Sequence, residues 1–174
     1  MRVLSSAAMS AEDLSRHAAN KPSFYADPVA WLAAAVVGDA LERCREELDG
    51  TDVAVLAMSA TATASTMAGI ADGSARGRVS PLRFAGANPG LVAGLPCIRW
   101  GLRGPSLVLA MHPGHAVQAA LCVARHWLES AQARHVVVVG HELDENVHTV
   151  RSVVLAPGRD RPAHVSALLT EVTA

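Results

Sequence analysis

The twenty residues from Trp100 to Ala119, WGLRGPSLVLAMHPGHAVQA, constrain the fold more than any other part of the chain. The break at Arg103, Gly104 and Pro105 ends one element, and the apolar run 107–110 predicts a short strand. Pro113 or Gly114 then opens a helix that reaches about Ser130. Ala116, Val117, Ala120, Leu121, Ala124 and Leu128 form one stripe of that helix, with Val123 and Trp127 beside it, so its first turns are buried on most sides. A strand that turns sharply into a buried helix presents helix amides at the turn, which is where a nucleophile sits and an oxyanion is stabilised in enzymes built this way. Here the turn is Met111-His112-Pro113-Gly114-His115.

The other elements follow from period and punctuation. Residues 1–6 predict a first strand, and Ser10 with Glu12 and Asp13 predicts the start of a weakly patterned helix to residue 19. Asp27-Pro28 opens a clear helix whose apolar positions Val29, Leu32, Ala33, Val36, Val37 and Leu41 precede a charged run to Glu47. Residues 52–58 form a buried-type strand. Residues 59–71, rich in Ser, Thr, Ala and Gly, predict a loop running into a helix that stops at Asp72-Gly73. The segment from Ser80 is expected to be irregular and to become helical from about Pro89. The β-branched run 135–140 predicts a strand buried on both faces. Two tail strands, 152–156 and 164–172, are expected to form a hairpin across the turn 157–162.

These six strand candidates and the helices between them imply an α/β fold, expected as one mixed five-stranded β-sheet, mostly parallel, with helices on both faces and an antiparallel edge at the end. A length of 174 residues fits one domain, 1–174. Aromatic residues are only 3% of the chain, so Ala, Val and Leu build the core. Trp31, Trp100 and Trp127 are expected to be packing anchors. The 18% charged content implies that a partner covers part of the surface. A formal net charge of −1 with no run of Lys or Arg argues against nucleic acid and anionic membranes as partners. Cys44, Cys97 and Cys122 lack metal-ligand spacing and are expected to be small buried hydrophobes in a reducing compartment. With no signal-like leader and no membrane span read from the sequence, the chain is expected in the cytoplasm.

Ser80-Pro81, Ala93-Gly94, Gly101-Leu-Arg-Gly-Pro-Ser106 followed by strand, elbow and Ala-rich helix, and the run ending at Gly140 together resemble the N-terminal half of a β-ketoacyl-ACP synthase of the thiolase-like fold. The Gly-Leu-Arg-Gly-Pro-Ser run carries most of the resemblance, and weaker similarity extends over nearly the whole chain. In that family the nucleophilic cysteine lies seven residues beyond the serine matching Ser106, which is Pro113 here. The resemblance implies that a thiol and the amide forming half of the oxyanion hole are both missing. It places the family's two catalytic histidines and lysine in a C-terminal half outside these residues. No catalytic residue is therefore expected, unless His112 and His115 substitute as a base pair or a His-x-x-His metal site, for which no third ligand is spaced. The loop bearing His141, Glu142, Asp144, Glu145 and His148 is expected to be solvated rather than a metal site. No metal or other cofactor is expected.

The resemblance then implies a non-catalytic subunit like a truncated chain-length factor. Such a chain would pair with a full-length ketosynthase as a heterodimer in polyketide, polyene or fatty-acyl biosynthesis and shape its acyl tunnel. The strand of Ser106, Leu107, Val108, Leu109 and Ala110 would pair across the two-fold axis. Met58, Arg83 and Phe84 would line the partner's tunnel. Arg83 departs from the apolar residue a tunnel needs, so it turns away, blocks the tunnel, or is an ordinary surface charge. Two alternatives remain: a homodimeric module binding an acyl chain or acyl carrier protein, and an acyltransferase or thioesterase that depends on His112 or His115.

Overall fold

A computed structural model describes residues 1–78, 80–160 and 162–170. Its elements in chain order are β1 (Arg2–Ala11), α1 (Pro28–Glu42), β2 (Val53–Ser59), α2 (Ala64–Ala75), α3 (Pro81–Gly86), α4 (Leu91–Trp100), β3 (Ser106–Leu109), α5 (Pro113–Glu129), β4 (His135–Asp144), β5 (Val147–Ala156) and α6 (Pro162–Thr170).

The five strands form one mixed sheet in the order β1-β5-β4-β2-β3. β2 is parallel to β3 and β4, whereas β5 is antiparallel to both of its neighbours, β4 and β1. Side-chain alternation along the central strands explains the layers. Ala54, Leu56 and Met58 on β2, with Val136 and Val138 on β4, pack against α5 and α6. The intervening Val53, Val55 and Ala57, with Val137 and Val139, pack against α1 and α4. A strand buried on both faces is apolar except where a polar group finds a partner, and β2 is buried along its whole length and apolar up to Met58. The expected α/β class, the single five-stranded mixed sheet and the two helical layers are all present.

The helix ends follow local chemistry. Asp27 caps α1 by accepting from the Val29 amide at 2.8 Å, with Pro28 in the first turn. The Gly-Pro break before β3 is a close approach: a Cβ on Gly104 would lie 2.6 Å from the Val53 backbone. Only a glycine lets the chain cross the base of β2 there and enter the sheet beside it. Trp31 and Trp127 are buried, and the Trp100 indole donates to the Ala34 carbonyl at 2.7 Å, so all three anchor packing as expected.

Several boundaries differ from the sequence expectation. The antiparallel strand is internal, because β5 pairs with both β4 and β1, and the sheet edges are β1 and β3. β1 runs on to Ala11, so the helix expected from Ser10 is replaced by strand and a single turn of 3-10 helix at Leu14–Arg16. The cause is polar pairing across strands: the Ser10 and Thr149 hydroxyls lie 2.9 Å apart. α1 ends at Glu42, before the charged run does. α2 continues through Asp72-Gly73 to Ala75, and Pro81 starts a helix of its own, capped by Ser80.

The expected tail hairpin is also displaced. The real hairpin joins β4 to β5, and Pro162–Thr170 is helix, with Val165 and Leu169, one helical turn apart, buried against the sheet. Residue 161 of the expected turn and residues 171–172 of the expected strand lie outside the described residues. Cys122 is exposed rather than buried, while Cys97 is half-buried with its thiol pKa pushed up by burial.

Candidate functional site

β2, β3 and β4 run parallel, so their C-terminal ends share one edge of the sheet, the edge where α/β proteins place their sites. Three segments meet there: the Ser59 end of β2, the elbow between β3 and α5, and the His141-Glu142 end of β4.

At the elbow His112 is the N-cap of α5, and its Nδ1 accepts a hydrogen bond from the Gly114 amide at 3.1 Å. The amides of His115 and Ala116 both donate to the His112 carbonyl, at 2.9 and 3.0 Å. Pro113 at the first helical position has no amide to offer. Every N–H of the first turn is thus absent or engaged, and an oxyanion would find no free donor there. With Nδ1 accepting, a neutral His112 carries its proton on Nε2, which faces Glu142 at 3.9 Å. Neither ring nitrogen of His112 is then a free base. His115 is exposed, with its ring 5.8 Å from that of His112 and tilted to it by 54°.

Beneath the elbow lies a buried polar layer. The Ser59 hydroxyl accepts from the Ala62 amide at 2.7 Å and lies 2.7 Å from His141 Nδ1, and His141 Nε2 is 3.0 Å from His148 Nδ1. For neutral rings two relays fit: Ser59 donates to His141 and His141 to His148, or His148 donates to His141 and His141 to Ser59. His141 is only 1% exposed, and burial pushes its pKa down to about 4, with His148 contributing. Burial lowers the pKa of His148 too, opposed by the Asp27 carboxylate. Glu142 accepts from Arg151 at 3.0 Å in a largely buried ion pair. Asp27, itself fully buried, takes the Thr66 amide at 3.2 Å and so ties the start of α1 to the start of α2.

The expectation that His141, Glu142 and His148 belong to a solvated loop is corrected: they lie on paired strands, with His141 bonded to Ser59 and His148, and Glu142 to Arg151. The arrangement orders donors and acceptors but admits no substrate, because Ser59 is fully buried and its oxygen is already engaged. Its work is to fasten the end of β2 to the β4–β5 hairpin. One sequence signal could have found it: Ser59 and His141 each directly follow a buried-strand run and sit in register on neighbouring parallel strands. Among the described residues no group of three or more His, Cys, Asp or Glu side chains is arranged to hold a metal ion.

The remaining sequence candidates separate. Met58 is fully buried between the sheet and α5 and presents no surface to a partner, because its position on β2 points it into the core. Arg83 and Phe84 lie on α3. Phe84 is 65% exposed, whereas the Arg83 guanidinium folds back over the Tyr25 ring, 5.5 Å from its centroid. Ser106, Leu107, Val108 and Leu109 form β3, an edge strand bonded to β2 alone within the sheet; Ala110 lies just beyond it, exposed beside the exposed Met111.

No protein-family model matches the chain, and no curated protein matches it in sequence. Solved structures do. The chain matches a ketosynthase in complex with its chain length factor from Xenorhabdus doucetiae with a TM-score of 0.67 and 17% identity, over 90% of this chain and 79% of that one. It matches an acyl-carrier protein–ketosynthase complex of a type II polyketide synthase, with the ketosynthase bound to the hexaketide, with a TM-score of 0.68 and 11% identity, over 88% of this chain and 61% of that one. It matches the ishigamide ketosynthase/chain length factor with a TM-score of 0.62 and 15% identity, over 83% of this chain but only 48% of that one. These likenesses show that the chain has the thiolase-like fold of the ketosynthases, of which it spans between about half and four-fifths.

Proposed function

We propose that this chain is a non-catalytic ketosynthase-like subunit that pairs with an active ketosynthase in polyketide, polyene or fatty-acyl biosynthesis and shapes its acyl tunnel. The observation that carries the reading is the elbow. It keeps the strand-turn-helix shape while holding Pro113 where the family resemblance places the cysteine, and its first-turn amides are engaged internally. A shape kept without a nucleophile or an oxyanion hole points to a role in assembly.

β3 supports that role. It is a short apolar strand with one edge outside the sheet, beside the exposed Met111, and a sheet edge left in this state is a template for pairing with a second chain. Phe84, exposed on α3, is the side chain offered to the partner's tunnel, since Arg83 is held on Tyr25 of its own chain. Arg83 therefore turns away, and the tunnel need not be blocked. The same strand could pair with a second copy, so the homodimeric acyl- or carrier-binding module is the second reading.

Co-expression with a ketosynthase encoded beside it, followed by native mass spectrometry, tests the proposal. One copy of each chain per complex is the expected result. A homodimer that ignores the ketosynthase would replace this reading with the second, and separate monomers would overturn both.

A further inference from the structure

The arginines that the sequence spreads through the α2–α3 connection are gathered by the fold. A cleft of about 570 Å³ is lined by Gly69, Ile70 and Gly73 of α2, by Arg76, Gly77 and Arg78 after it, and by Ser80 and Arg83 at the start of α3. Gly73 and Gly77 make this possible. Gly77 has φ +68°, which turns the chain back, and the Arg78 carbonyl then passes so close to α2 that a Cβ on Gly73 would lie 2.8 Å from it. Bare helix backbone forms the floor, where Arg83 Nη1 would lie 3.7 Å from a Cβ on Gly69.

Three arginines thus line one cleft, and among the described residues no carboxylate lines its wall, in a chain whose formal net charge is −1. Among the described residues, none of the three is in a salt bridge. Arg76 donates to the Asp72 carbonyl at 3.1 Å, which fixes its stem at the end of α2, and Arg83 is fixed by Tyr25. Like charges brought together repel unless an anion joins them. Guanidinium forks match the paired oxygens of phosphate, and the volume falls within the range for small-molecule sites.

We infer that this cleft binds the phosphate or pyrophosphate group of a small organic phosphate ester, with Arg76, Arg78 and Arg83 on its oxygens and the Ser80 hydroxyl available beside them. This site lies on α2 and α3, and its occupancy does not depend on pairing through β3.

Inorganic pyrophosphate is the probe, titrated into the full chain at physiological salt while the arginine Nε–H resonances are followed by NMR. The expected result is saturable shifts of Arg76, Arg78 and Arg83, with a Kd of about 1 mM or tighter. Arg78→Gln and Arg83→Gln should each weaken binding about tenfold, as loss of a charge-assisted hydrogen bond does. Arg125→Gln, on the exposed face of α5, should leave it unchanged. Arg83→Lys separates fork from charge and should retain only part of the affinity. AMP in place of pyrophosphate should bind at least as tightly if the cleft takes an organic ester. Shifts that never saturate, shifts that move Arg125 equally, or binding unchanged in an Arg78→Gln, Arg83→Gln double variant with unchanged circular dichroism would overturn the inference.

Discussion

The elbow at His112–Gly114 and the polar layer beneath it are neighbours with opposite character. The elbow lies at the surface, where a site would be, yet its hydrogen bonds close on themselves and it needs nothing else. The layer of Ser59, His141, Glu142, His148 and Arg151 carries groups that read as chemistry, yet Ser59, His141 and Arg151 are buried, Glu142 and His148 are half-buried, and each group is held by another. Catalytic potential needs a reactive group and access together. In this chain the accessible turn has lost the reactive group, and the reactive groups have lost access. The elbow should therefore tolerate change, whereas the layer should not.

The largest contrast is expected at Arg151. Arg151→Leu leaves Glu142 buried without its partner and should lower stability by roughly 3 kcal/mol, read from the urea midpoint. Acid should have a comparable effect. His141 titrates at about 4 when folded against 6.5 when unfolded, so the unfolded chain takes up the proton first. Its contribution is complete above pH 6.5 and is lost as pH falls, reaching roughly 3 kcal/mol at pH 4. Denaturant unfolding between pH 7 and 4 should show this slope, and His141→Gln should flatten it; an equal slope in that variant would assign the effect elsewhere.

Smaller losses follow. Ser59→Ala removes the acceptor of the Ala62 amide and the hydrogen-bond partner of His141 Nδ1, at a cost of about 2 kcal/mol. Ala62 also has φ +39°, so the same change should loosen a backbone held off its preferred region. At the elbow, His112→Ala removes only a helix cap, about 1 kcal/mol, and His112→Asn should restore most of it. If His112→Ala proved costlier than Ser59→Ala, the contrast between the two regions would fail.

Much of this fold is legible in the sequence. Residues 53–58 of β2 and 136–139 of β4 are apolar at every position because both faces are covered, and α1 and α5 announce themselves by an Asp-Pro or His-Pro start with a matching stripe. β5 is harder to read because His148, Thr149, Arg151 and Ser152 are polar, and because one of its two neighbours, β1, is distant in sequence. α6 is misread as strand because Val165 and Leu169, four residues apart, fit both periods, and only their tertiary packing decides. The missing cysteine at Pro113 is plain from the sequence. The closure of the first-turn amides is not, since it depends on the rotamer by which His112 turns back onto Gly114. The polar layer is marked in the sequence only by Ser59 and His141 at the ends of buried runs, and the arginine cleft not at all, because their members are gathered by the sheet register and by the turn at Gly77.

The most direct test of the assembly claim is hydrogen exchange across Ser106–Leu109, measured on the isolated chain and on the chain mixed with its ketosynthase. The account predicts that the β3 peptide exchanges readily alone and becomes strongly protected in the mixture, while the peptide over α2 and the Arg76–Arg78 turn changes little. Equal exchange of β3 in both samples, with or without a complex formed elsewhere on the molecule, would contradict it.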